Sequence, residues 1–287
     1  MAELSNTGPC ILDKCGLALL SDLDDDYVNE LFSYLEIEQQ TFLDLQYKFR
    51  STEYKWPLDP LHTWSRIWEY PYVYHHLTKW QQDISGAEKL IVADIGSGVT
   101  FFPFTLARQG FDITCVDIDP VCRNDLERAI QVVPCSPGDV TFRLSEGGRL
   151  PFKDNELDVA YSVSVIEHLP EVTGFVHELC RVLKSGGLLV ATIDLDLRGD
   201  QSISVEDHCY LMEELDKRFE KVMPYRAVHP ANILDSNKGP FARKQRVGAE
   251  QIWFALKNDI VKPLLRRLPN HPTPYYLAVE GMVLRKK

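Results

Sequence analysis

Val92-Ala93-Asp94-Ile95-Gly96-Ser97-Gly98-Val99-Thr100 is the stretch on which the fold turns. An apolar run ends in a glycine turn and gives way to a helical pattern. Backbone N–H groups therefore converge where Gly96 and Gly98 let a ligand approach closely. Gly-x-Gly after a strand is by itself a loose signal. Nicotinamide-binding proteins carry a third glycine or alanine three residues on, and Phe101 stands there in this chain. Asp94 also argues against a pyrophosphate, which its charge would repel, and suits a cationic ligand instead.

Working outward, Leu90–Ile95, Asp112–Ile118, Val140–Leu144, Leu157–Val163 and Leu188–Ile193 read as strands, and Tyr275–Lys287 as a last one. Segments 103–109, 120–131, 171–184 and 205–219 read as helices. Pro120 stands at a helix start, and Gly110 and Ser185-Gly186-Gly187 follow helix ends. Such alternation predicts an α/β fold: a doubly wound, mostly parallel sheet with helices on both faces. Asp117 lies 19 residues after Gly98 at a strand end, where a carboxylate can accept both hydroxyls of a ribose. Asp119, just ahead of Pro120, is the better candidate for a helix N-cap.

The rest of the chain bounds the function. Its 287 residues are 45% apolar and 25% charged, enough to bury a core, with a formal net charge of −11. That balance argues against nonspecific binding to nucleic acid or an anionic membrane, which needs a positive field. The seven cysteines form no C-x-x-C pair, and their odd number suits a reducing compartment. The start carries no basic leader pattern, and no apolar run approaches a membrane span. The expectation is a cytoplasmic protein that binds neither nucleic acid nor membrane.

Two segments stand apart from the alternating pattern. In 1–85, Val28, Leu31, Phe32, Leu35, Phe42, Leu45 and Phe49 repeat at helical spacing behind Asp24-Asp25-Asp26, and an aromatic stretch, 64–76, follows Pro57 and Pro60. This helical extension is a brace or a lid on the domain 86–287. Within that domain 229–272 reads as an insertion before the last strand, with a local charge of +6 between Lys238 and Arg267. It is a basic surface helix or a dock for an anionic group.

Further motifs follow the later strands: Ser145-Glu146 before Leu150-Pro151-Phe152, and Ser162-Val163-Ser164-Val165-Ile166-Glu167-His168-Leu169-Pro170. Taken with Asp-x-Gly-x-Gly, the strand-end acid and Leu-x-x-Gly-Gly-x-Leu, this order resembles the class I S-adenosylmethionine-dependent methyltransferases, in particular their small-molecule branch. The resemblance covers about 90–228 and 275–285. One departure is Thr100, where many members carry a third glycine.

The resemblance implies a seven-stranded sheet and S-adenosylmethionine as cofactor. It implies that the turn Gly96, Ser97, Gly98 faces the cofactor's methionine part, with Asp94 on its amino group. Asp117 would take the ribose hydroxyls, Ile118 the adenine face, and Glu146 and Gly147 the adenine edge, while Ser162 and Val163 border the sulfonium. The expected reaction is methyl transfer to a small-molecule acceptor by in-line displacement. The alternatives are another transfer chemistry on the same cofactor, or a non-catalytic cofactor-binding subunit. His168 is the candidate base where the acceptor must lose a proton. For the acceptor itself, Tyr72 or Tyr74 from the aromatic stretch and an anion held by Arg243, Lys244 or Arg246 are expected to line one pocket with His168. Asp194 and Asp196 could bind a metal or an amine, although a solvated loop explains them equally, and no metal is expected. Either odd segment could also serve as the contact of a homodimer.

Overall fold

A computed structural model describes residues 10–84, 89–169, 171–196, 203–242 and 276–287. The doubly wound sheet expected from the alternation is present. Five strands run parallel: β2 (Ile91–Ile95), β3 (Asp112–Asp117), β4 (Asp139–Leu144), β5 (Leu157–Val163) and β6 (Leu183–Asp196). The long β8 (Leu277–Lys286) pairs antiparallel with β6 from Leu188↔Arg285 to Asp196↔Leu277. Beyond β8 lie two short strands, β1 (Gly16–Leu17) and β7 (Phe219–Lys221), both antiparallel to it. Among the described residues the order is β1-β8-β6-β5-β2-β3-β4, with β7 also paired to β8, eight strands in all. The strand beyond the expected seven is β1, a two-residue piece of the N-terminal extension that joins the free edge of β8.

Successive residues of each strand point to opposite faces, and the buried side chains sort accordingly. Val92, Ile113, Cys115, Val159, Tyr161, Val190 and Val283 face one core. It is closed by α1 (Asp26–Asp44), α2 (Arg66–Asp83), α3 (Phe102–Arg108) and α4 (Pro120–Ile130). Ala93, Ile95, Val116, Ala160, Leu189, Ala191 and Met282 face the other, under α5 (Val172–Val182) and α6 (Val205–Arg218). Among the described residues no helix is long and apolar enough to cross a membrane.

Local signals explain most boundaries. Asp25 caps α1 by accepting from the N–H groups of Tyr27 and Val28, and Asp119 caps α4 through Val121. The last strand expected before the insertion is longer than its apolar run: β6 takes in Ser185-Gly186-Gly187, which the sequence suggests as a turn. Gly186 sits there at φ +78°, and the pairing with β5 shifts register between Leu157 and Val159. The aromatic stretch is helical as α2 despite Pro71 within it. Proline removes one helical donor, but here the helix is held by burial rather than by its own bonds.

That burial has a polar seam. Asp22, fully buried, pairs with the buried ammonium of Lys14 at 2.5 Å and accepts from Trp68 Nε1 at 2.8 Å. The Tyr72 hydroxyl donates to the Lys14 carbonyl, and His76 Nε2 bonds the Leu12 carbonyl. His75 bridges Asp13 and the Tyr27 hydroxyl, while Lys79 also pairs with Asp13. Asp13, His75 and His76 bring possible metal-ligand atoms within 4.8 Å of one another, and both His75 nitrogens, His76 Nε2 and the Asp13 carboxylate are engaged in hydrogen bonds within the fold. The strap 10–23 is thus laced to α2, and α2 to the sheet.

α2 packs tightly on the sheet at Gly281 of β8, where a Cβ would meet the rings of Trp68 and Tyr72 at 2.7 Å. Those rings are stacked on each other at 4.4 Å and have no room to retreat. Gly281→Ala should therefore overpack this contact and cost about 1–3 kcal/mol of stability. Urea unfolding measures it, and an unchanged midpoint would contradict the close contact.

Candidate functional site

The chain leaves β2 for β3 on one side and β5 for β6 on the other, so strand order reverses around β2. In such sheets the crevice lies beyond the carboxyl ends of the strands at that switch. Gly96 and Gly98 stand there at φ +73° and +54°, in the left-handed region that favours glycine. The N–H groups of Gly96 and Ser97 donate to the Val116 carbonyl, fixing the turn to the end of β3. A Cβ on Gly96 would lie 2.5 Å from the Val165 side chain, so the segment after β5 closes tightly on the turn.

Asp117 organises the other side. Its Oδ2 accepts from Gly98 N at 2.9 Å and its Oδ1 from Asp119 N at 2.9 Å. Half-buried at the end of β3, it keeps lone pairs on both oxygens for a further donor. Ile118 beside it is 71% exposed, an apolar face left open at the crevice. Glu146 and Gly147 lie on an exposed loop after β4, with nothing within 4 Å of a Cβ built on Gly147.

Asp94 is buried beneath the turn, and that burial pushes its carboxyl up to about 7. The Tyr161 hydroxyl opposes the shift, and the charge of Asp117 adds to it. The Ser97 hydroxyl donates to the carbonyl of Gly98, within the turn itself. At the end of β5, Ser162 is fully buried and donates to the Ile95 carbonyl, while Val163 is half-buried. His168 is exposed on a 3-10 turn (Ile166–His168), its pKa lowered by partial burial and by the Arg66 charge.

Three further residues reach the crevice without having been singled out in the sequence. Arg50 Nη2 donates to the Val99 carbonyl at 3.0 Å, and Tyr54 Oη accepts from Val99 N at 3.1 Å. The guanidinium lies 4.2 Å from the Tyr54 ring centroid, and its Nε and Nη1 are buried with no hydrogen-bond partner. Glu69 is the third. Fully buried on α2, it pairs with Arg66 and accepts from the hydroxyls of Ser164 and Thr192 at 2.6 and 2.5 Å. Ser164 is held at φ +50°, a strained conformation for a non-glycine residue at the mouth of the sheet. The charge of Glu69 amid Ile67-Trp68-Glu69-Tyr70 is a signal that could have been read. For Arg50 and Tyr54 there is none, because their partners lie about fifty residues away in sequence.

Tyr72 and Tyr74 are not brought to the turn. Tyr72 is fully buried with its hydroxyl on Lys14, and Tyr74 is buried with its ring 5.6 Å from Tyr34 of α1. Position along α2 is the reason, since its first turn meets Ser164 at the strand ends and its later turns meet Lys14 and Leu12 of the strap. Arg66, Glu69 and Tyr70 turn toward the strand ends, and Tyr72 and His76 toward the strap. The expected lining of one pocket by these tyrosines and His168 is corrected accordingly. Arg243, Lys244 and Arg246 lie outside the described residues.

These groups suit a ligand carrying an ammonium, a carboxylate and a vicinal diol: a buried acid and a strand-end acid to accept, and orphaned guanidinium N–H groups to donate. Residues 93–191 match the family described as "Methyltransferase domain". A 2-methyl-6-phytyl-1,4-hydroquinone methyltransferase of Synechocystis is 35% identical over 115 residues, 39% of this chain and 34% of the relative. A demethylmenaquinone methyltransferase of Tropheryma whipplei is 34% identical over 103 residues, 34% of this chain and 39% of the relative. The chain thus spans little more than a third of the length of these relatives. A SAM-dependent methyltransferase structure from Aquifex aeolicus aligns with a TM-score of 0.42 and 14% identity, over 72% of this chain and 88% of that one. The motifs from Asp94 to His168 lie inside the segment that matches the methyltransferase domain family, and that segment is what this chain shares with these relatives.

Proposed function

We propose that the chain moves a methyl group from S-adenosylmethionine to a small-molecule acceptor. The observation that carries this reading is the pairing of a buried Asp94 below the glycine turn with Asp117 across it. A phosphate ligand would be repelled by both, whereas an aminoacyl nucleoside uses both.

In this reading Asp94 holds the cofactor's amino group and Asp117 its ribose hydroxyls. Ile118 covers the adenine, and Glu146 with Gly147 borders the adenine edge. Ser97 belongs to the turn that faces the methionine part, and Ser162 and Val163 line the floor on the sulfonium side. Arg50 takes the carboxylate, because its Nε and Nη1 are buried, unpaired and next to Val99. An unpaired buried charge is costly, and a carboxylate relieves that cost. When bound, the cofactor supplies an electrophilic methyl on a sulfonium. The protein's part is then positioning, which can supply about 7–11 kcal/mol of barrier lowering. His168, its pKa held below the ordinary value, is neutral at physiological pH and accepts a proton where the acceptor must lose one.

The direct experiment is calorimetric titration with S-adenosylhomocysteine and with NAD, followed by a screen of candidate acceptors with labelled cofactor. Binding of S-adenosylhomocysteine alone is expected. Binding of NAD alone would remove the reading.

Two substitutions probe the acids. Asp117→Ala should weaken S-adenosylhomocysteine binding by about 1.5–3 kcal/mol, and Asp119→Ala should chiefly lower stability through its lost cap. Equal effects on affinity would refute the assignment.

Asp94 tests the cost of the site. An unfolded carboxyl releases its proton near pH 4, but the folded chain holds the proton on Asp94 up to about 7. The folded state binds more protons in that window, so the group's contribution to stability falls as pH rises from about 4 to 7. Asp94→Asn should therefore gain roughly 1–3 kcal/mol at pH 8 over the parent while losing cofactor affinity. Thermal melts at pH 5 and 8 check this, and a variant less stable at pH 8 would count against it.

A further inference from the structure

A cavity of about 290 Å³ opens beside the strand ends, between the first turns of α5 and α6. Its walls include Glu167, Glu171, Asp207, Leu169, Ile203 and Tyr210, and no described residue lining it is basic. Two helix N-termini meet there, and alone they would favour an anion. Three carboxylates outweigh them. Glu171 caps α5 through Gly174 N, and Asp207 accepts from the Ser204 hydroxyl, so each is fixed in place while keeping acceptor capacity.

Glu167 points to a ligand more directly. It is 92% buried, and its Oε1 accepts from the backbone N–H of Asp194 at 2.9 Å. Its Oε2 is buried without any hydrogen-bond partner. A buried carboxylate oxygen left unmatched is costly, and nothing in the fold itself requires it here. Burial, together with the charges of Asp194 and Glu69, raises its pKa to about 8, as for a carboxylate lacking a positive partner. Tyr210, 51% exposed, adds an aromatic wall of the kind that cations favour. Among the described residues these three acids do not converge within 4.8 Å of one another as metal ligands would.

We propose that this cavity is a cation subsite that receives an ammonium group of the methyl acceptor. The assignment rests on the methyltransferase reading for its role, since the cavity adjoins the strand ends where the methyl is delivered. It names the acceptor class as amine-bearing molecules rather than neutral ring compounds.

The test titrates the full chain, saturated with S-adenosylhomocysteine, with choline and with its neutral carbon isostere. Choline should bind and the isostere should not. Glu167→Gln and Asp207→Asn should each weaken choline binding by about tenfold, with S-adenosylhomocysteine affinity unchanged. Asp207 is exposed and belongs to no core, so its variant keeps the test alive if Glu167→Gln fails to fold. Equal binding of the two probes, or unaltered choline binding in the folded variants, overturns the subsite. If S-adenosylhomocysteine itself fails to bind the parent chain, the methyltransferase reading falls instead, and the choline titration without it still decides whether the cavity holds a cation.

Discussion

The turn at Gly96–Gly98 is the constraint on which the rest depends. Its backbone lies in a conformation that side chains avoid, and Val165 presses so closely that no Cβ fits at Gly96. The end of β3 and the N-terminal extension, remote in sequence, also meet on it. Asp117 grips Gly98 N from β3, the Val116 carbonyl takes two more N–H groups, and Arg50 and Tyr54 hold Val99 from the N-terminal extension. A ligand that replaced or extended any of these contacts would couple the extension to the crevice. The extension is therefore tied directly to the turn through Arg50 and Tyr54. Its strap 10–23 and α2 carry the same logic to the far edge of the sheet, through Lys14, Asp22, Trp68 and Tyr72.

The site stores unfavourable electrostatics that the fold tolerates. Asp94 and Glu167 are both buried acids with raised pKa values, and Arg50 has buried nitrogens without partners. Elsewhere in the buried interior, charges are matched: Lys14 with Asp22, Glu69 with Arg66, Asp125 with Arg128. Structural ion pairs need both partners to offset desolvation, and sites that bind charged ligands leave one partner to the ligand.

Much of this was legible in sequence for a definite reason. Period-two apolar runs, the glycine turn and the Asp94-to-His168 series are local signals, and the parallel sheet, the caps at Asp25 and Asp119 and the cofactor class follow from them. Contacts across long separations left no such trace. β1 is two residues whose strand character comes only from the free edge of β8. Arg50 and Tyr54 sit in an unpatterned loop, and their value appears only when Val99 is folded beside them. Tyr72 and Tyr74 looked like pocket residues because an aromatic cluster reads alike in a core and in a cleft. Only the partners met along α2 separate the two, with Glu69 on Ser164, Tyr70 against Phe101 and Tyr72 on the Lys14 carbonyl.

The central claim is that the crevice over this turn is built for an aminoacyl nucleoside. A crystal structure of the chain grown with S-adenosylhomocysteine tests it most directly. The account predicts the ribose on Asp117, the amino group toward Asp94 and the carboxylate within hydrogen-bond reach of Arg50. Ligand density away from the carboxyl ends of β2 and β3, or an Arg50 left unpaired beside a bound ligand, would contradict it.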